Sequence, residues 1–137
     1  MKLDTFTRAY LEAALWSSDP NPRSGEWSER DEWSIDKISA ESIAAAVSEC
    51  EAFQTANADD LSEAGDDSQN GHDFWLTRNH HGAGFWDRGY GDVGQRLTDA
   101  AQKCGERCLI GPETNDQGTA TPKMLKKWDG IIHIERA

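Results

Sequence analysis

Large aliphatic side chains are scarce in this chain. Val occurs twice, and Leu, Ile, Val and Phe together supply 21 of 137 residues. So few, with a formal charge of −11, borders on the compositions of chains that cannot bury enough apolar surface to fold. Six Trp and sixteen Ala separate it from them, because disordered chains are poor in aromatics. The length suits one small domain. Disorder is expected only in linkers around Pro20, Asp66 and Asn115.

Other absences exclude whole classes. No apolar run approaches the roughly 20 residues of a membrane span, and Met1-Lys2-Leu3-Asp4 begins no signal-peptide core, so a cytoplasmic protein is expected. Three Cys (Cys50, Cys104 and Cys108) are too few for a disulfide scaffold and fit a reducing compartment. Cys104 and Cys108 have no second Cys pair to complete a zinc site. There is no serine elbow, phosphate loop or paired-carboxylate spacing. No cofactor and no catalytic residue is expected.

Basic residues are short where acids abound. Residues 1–70 hold 16 acids and 5 bases, whereas residues 71–137 hold 9 of each. Phosphate contacts require Lys and Arg, so direct nucleic-acid binding is disfavoured. An acidic half steers a basic protein surface towards itself. The expected organisation is one domain over 1–137, with an acidic helical part (1–70) and a hairpin-helix-strand part (71–137).

Apolar spacing predicts a helix from Leu3 to Trp16, with Leu3, Phe6, Tyr10 and Ala14 on one face and Asp4 or Thr5 at its start. A second helix begins at the N-cap Ser39, with Ile38 and Ile43 as a hydrophobic staple. Its stripe of Ile43, Ala46, Val47, Cys50, Phe53, Asn57 and Leu61 makes Cys50 a core residue. Two aromatic runs then flank Asn79-His80-His81-Gly82, a pattern that reads as a β-hairpin in which Trp75 opposes Trp86 and Asp73 opposes Arg88. A third helix is expected from about Asp92 to Cys104, ended by Gly105. Arg107–Ile110 and Ile131–Glu135 read as strands, the latter by β-branching, and Lys123–Trp128 as a helical turn. The fold class is α+β: two N-terminal helices packed on a small antiparallel sheet built around the aromatic hairpin, with a third helix.

The segment Gly71-His72-Asp73-Phe74-Trp75-Leu76-Thr77-Arg78-Asn79-x-His81-Gly82-Ala83-Gly84-Phe85-Trp86-Asp87-Arg88-Gly89 resembles a motif of small acidic proteins of bacteriophages and prophages. The resemblance extends to Asp4–Trp16 and to Cys50-Glu51-Ala52-Phe53-Gln54, and ends near residue 105. It implies a phage context and no particular activity. The aromatic, Asn-Gly-bounded segment is also faintly similar to an element of plasmid antirestriction proteins, which implies counter-defence.

Two acidic clusters are the candidate binding surface. One holds Glu26, Glu29, Asp31, Glu32 and Asp36 and is interleaved with Trp27 and Trp33. The other holds Asp59, Asp60, Glu63, Asp66 and Asp67. Carboxylates every few ångströms on one face imitate a phosphate backbone, and Trp is a frequent interface anchor. The expected function is capture of a basic protein partner, with inhibition of a host nucleic-acid-handling or defence protein as its specific form. The alternative is a small metal-binding protein or enzyme using the His-rich segment. On a hairpin, His72 would lie about 20 Å from His80 and His81, which leaves His80 and His81, with a carboxylate from the acidic half, as its candidate metal ligands.

Overall fold

The computed structural model describes residues 2–18, 33–116 and 122–137. Helix α1 (Thr5–Ser17) starts where the Asp4 side chain accepts from the Thr7 N–H at 2.7 Å. A 3₁₀ turn, Ile35–Lys37, leads to α2 (Ala40–Ala56), capped by Ser39 accepting from the Ser42 N–H. The helix expected to run on to Leu61 is broken at Asn57. There the Asn57 Nδ2 donates back to the Phe53 carbonyl at 2.9 Å, and the short α3 (Ala58–Ser62) begins.

The largest correction falls on the aromatic segment. It forms no hairpin: residues Asp67–Arg78 are helix α4, and Phe85–Asp87 is a 3₁₀ turn. Asp66 caps α4 by accepting from the Gln69 N–H at 2.8 Å. The Asn79-His80 step ends it, with the His81 N–H on the Leu76 carbonyl (3.0 Å) and the His80 N–H on the Thr77 carbonyl (3.1 Å). That pair of bonds is a Schellman ending. His80 stands at its left-handed position with φ +56°. α4 was misread because it is central: every residue from Asp73 to Arg78 is buried. A helix buried all round has no polar face and therefore no 3.6-residue period to detect.

α1 consequently packs on α4, in the most extensive contact between elements, and not on a sheet. The helices approach so closely that a Cβ at Gly71 would lie 2.0 Å from the Phe6 carbonyl oxygen. Around this crossing Phe53 stacks on Phe74 at 4.1 Å, Tyr10 lies 5.2 Å from Phe74, and Trp75 meets Tyr10 edge-on at 5.3 Å. Each buried ring contributes roughly 1.5–3 kcal/mol by leaving water, which is how few aliphatics suffice. Trp75 does not pair with Trp86. Its indole N–H donates to Ser17 Oγ at 2.9 Å, while Trp86 is half exposed.

Helix α5 (Asp92–Lys103) follows, preceded by Gly91 as its N-cap and with Asp92 in the first turn. Its buried stripe includes Leu97 and Ala101, but Cys104 at its end is exposed. Strand β1 (Arg107–Ile110) pairs antiparallel with β2 (His133–Arg136), and Leu109 faces Ile134. Between them lies α6 (Pro122–Lys127). Both terminal strands were expected, and they form the whole sheet among the described residues. An isolated bridge of Ile132 to Ile38, with the Ser39 N–H on the Ile132 carbonyl at 2.8 Å, ties the C-terminal segment to the start of α2. No helix among the described residues is long and apolar enough to cross a membrane.

Candidate partner interface

The sequence candidates scatter. Glu26, Trp27, Glu29, Asp31 and Glu32 lie outside the described residues. Trp33 lies within them and is half-buried: its indole N–H donates to the Leu15 carbonyl at 2.8 Å, and its ring lies 6.2 Å from that of Trp128. It is a packing residue at the end of α1. Asp59 and Glu63 are exposed on and beside α3. Asp60 accepts both bonds of an Arg96 guanidinium, at 2.8 and 3.0 Å. Those bonds hold its carboxyl below the usual range.

The helix also relocates the imidazoles. His72 is on α4, whereas His80 lies past its C-terminal end in the left-handed position. His80 Nε2 lies 3.8 Å from Glu106, and His81 is exposed. Among the described residues no three His, Cys, Asp or Glu side chains are grouped as metal ligands.

Asp73 and Arg88 do meet, but not across strands. Asp73 sits fully buried on α4, accepting from Arg88 at 2.9 and 3.2 Å and from Gln69 Nε2 at 3.0 Å. This holds the segment after the 3₁₀ turn against the first turns of α4.

The same corner exposes the outer face of α1. Arg8, Glu12 and Trp16 recur at steps of four on that face, opposite Phe6, Tyr10 and Ala14 in the core. Trp16 is 71 % exposed and touches only the edge of the fold, with its ring 5.8 Å from that of His72. Two hollows open on either side. One, of about 440 Å³, lies between α1 and the Ile35–Lys37 turn and includes Glu12, Trp16, Trp33 and Asp36. The other, of about 370 Å³, is polar and includes Glu12, Asp66, His72 and Arg88. Glu12 lines both. It therefore connects Asp36, of the first acidic cluster, with Asp66, of the second, across α1. No ion pair or hydrogen bond engages the carboxylates of Glu12 and Asp36 among the described residues.

Trp16 was the functional candidate that sequence reasoning passed over. Its place on the Arg8–Glu12–Trp16 stripe was the available signal, since an aromatic on the polar stripe of an amphipathic helix has no core to enter.

A third hollow, of about 660 Å³, lies between α2 and α5 with Phe53 and Ala100 among its apolar lining. Its polar wall is structural: Glu49 bridges the buried Arg78 and Arg107, the latter at 2.6 Å. Comparison of the chain with protein-family models, curated proteins and solved structures finds no match.

Proposed function

We propose that this chain is a small phage or prophage accessory protein that works in the bacterial cytoplasm by docking a basic protein partner on its acidic face. The specific form of this reading is occlusion of a host nucleic-acid-handling or defence protein. Such a partner presents Lys and Arg arranged for phosphates, and a protein with carboxylates at similar spacing competes for them. The observation that carries the reading is Glu12. By lining both hollows it links Asp36 on one side of α1 with Asp66 on the other, with the exposed Trp16 indole beside it. Exposed carboxylates supply steering, and an exposed Trp supplies the apolar anchor that charge alone lacks.

The test is affinity capture from bacterial extract at two salt concentrations, with identification of the captured protein by mass spectrometry. One variant carries Glu12→Lys, Asp36→Lys and Glu63→Lys, and a second carries Glu29→Lys, Asp31→Lys and Glu32→Lys. Asp66 is spared because it caps α4. The expected result is one basic protein, captured in a salt-sensitive way by the parent chain and lost with the first variant. Capture that survives both reversals and high salt sinks the acidic-face reading.

A further inference from the structure

Resting on that acidic-face reading, we infer that the hollow between α1 and the Ile35–Lys37 turn is a receptor for one arginine side chain of the partner. Its lining is mostly apolar and includes Trp16, Trp33, Leu15 and Ile35. Trp33 cannot turn away, because its N–H is committed to the Leu15 carbonyl at 2.8 Å. Two carboxylates stand at the lining, Glu12 from α1 and Asp36 from the 3₁₀ turn, and neither has an ion-pair partner among the described residues. Among the described residues of the lining Arg8 is the one cation, against the two carboxylates of Glu12 and Asp36.

Indole faces attract cations, and a guanidinium adds planar stacking and weak hydration to that attraction. Its five N–H donors also serve two carboxylates held on different elements, which a compact ammonium does less well. A lysine would surrender more hydration on entering a half-apolar hollow for fewer bonds. The geometry of the hollow is fixed from behind. The Ile38–Ile132 bridge holds the turn carrying Asp36, and the α1–α4 crossing holds Glu12 and Trp16.

The probes are the blocked tripeptides Gly-Arg-Gly and Gly-Lys-Gly, titrated into the full chain while backbone and indole N–H resonances are followed by NMR. The arginine peptide is expected to shift the Trp16 and Trp33 indole signals and the amides near Glu12 and Asp36. It should bind roughly two- to five-fold more tightly than the lysine peptide, the range of an exposed cation–π contact. Trp16→Leu should remove that preference, and Glu12→Gln with Asp36→Asn should weaken both peptides. Equal response to the two peptides, shifts centred elsewhere, or a preference that survives Trp16→Leu overturns the inference. Capture of the basic partner that persists in Trp16→Leu, without arginine preference in the parent, rejects this hollow and leaves the acidic-face reading standing. Arginine preference without any captured partner does the reverse.

Discussion

Arg78 Nη1 donates to the phenol oxygen of Tyr10 at 3.0 Å, linking α4 to α1 through a guanidinium with no exposed surface. The other two nitrogens are engaged as well. Nε reaches the Gly105 carbonyl at 2.8 Å, Nη2 the Cys104 carbonyl at 2.9 Å, and Nη1 also the Glu49 carboxylate. The cation sits 5.2 Å from the centre of the Phe74 ring. It thus satisfies the orphan carbonyls at the end of α5 while neutralising Glu49.

Arg78→Met should cost about 3–5 kcal/mol, because it leaves the half-buried Glu49 carboxylate with Arg107 alone and unpairs a buried phenol and two carbonyls. Urea denaturation measures this as a fall in midpoint with little change in slope. A loss below about 1 kcal/mol would show that water replaces the guanidinium and that the network is dispensable.

Glu49 makes the same network sensitive to acid. Burial is the strongest single influence on its carboxyl and raises its pKa, but the bonds and charges of Arg78 and then Arg107 together outweigh it and hold it below the ordinary carboxylate range. The native state therefore binds a proton less readily than the unfolded chain. The stabilisation is complete above the unfolded value, near 4.3, and is lost as pH falls through the lower native value. Thermal midpoints followed from about pH 7 down to pH 2 should fall less steeply on the acid side in Glu49→Gln than in the parent. Parallel acid limbs would assign the acid sensitivity to other groups.

Gly71 is where α1 and α4 touch. A methyl group there meets the Phe6 carbonyl oxygen, which is backbone and cannot rotate aside. Gly71→Ala should destabilise by about 1–3 kcal/mol despite improving helix propensity. Gly82→Ala, with open space around its added Cβ, is the matched control and should stay within about 0.5 kcal/mol of the parent or gain slightly.

His80 pays for its position. A non-glycine residue in the left-handed region costs roughly 1–2 kcal/mol, part of which is returned when glycine loosens the unfolded chain. His80→Gly should therefore raise stability by up to about 1 kcal/mol, read as a higher melting temperature. A drop would mean that the 3.8 Å approach of His80 to Glu106 outweighs the backbone strain.

Thiol reactivity should divide the three cysteines. Cys50 has no exposed surface, and burial chiefly raises its pKa to about 12. Cys104 is exposed at the end of α5 and Cys108 is half-buried on β1. A thiol-disulfide reagent should label Cys104 and Cys108 in the native protein and Cys50 only after denaturant is added. Prompt labelling of all three would place Cys50 outside the core.

The sequence alone determined those elements whose signals are local. Asp4 and Ser39 each cap a helix through a residue three positions on, and Gly105 follows α5 with φ +81°. The strand expected over Ile131–Glu135 overlaps β2 at His133–Glu135. Cys50 in the core was also legible, from its place on the α2 stripe. The Asp73–Arg88 pair was anticipated across a hairpin that does not exist. Opposite charges 15 residues apart met because the chain folds back on α4, and that contact was not evidence for strands. Asp66-x-x-Gln69 held the missed start of α4, a capping pattern lost in a stretch that resembled linker. Tertiary structure decided what remained: that the Asp73–Arg78 stretch of α4 is helix enclosed on all sides, that Trp33 turns inward onto Leu15, and that Trp16 stays out beside Glu12. The physical reason is common to all three. A cap or a period is written by neighbours three or four residues away. Whether an aromatic faces water depends on which distant element takes the space beside it.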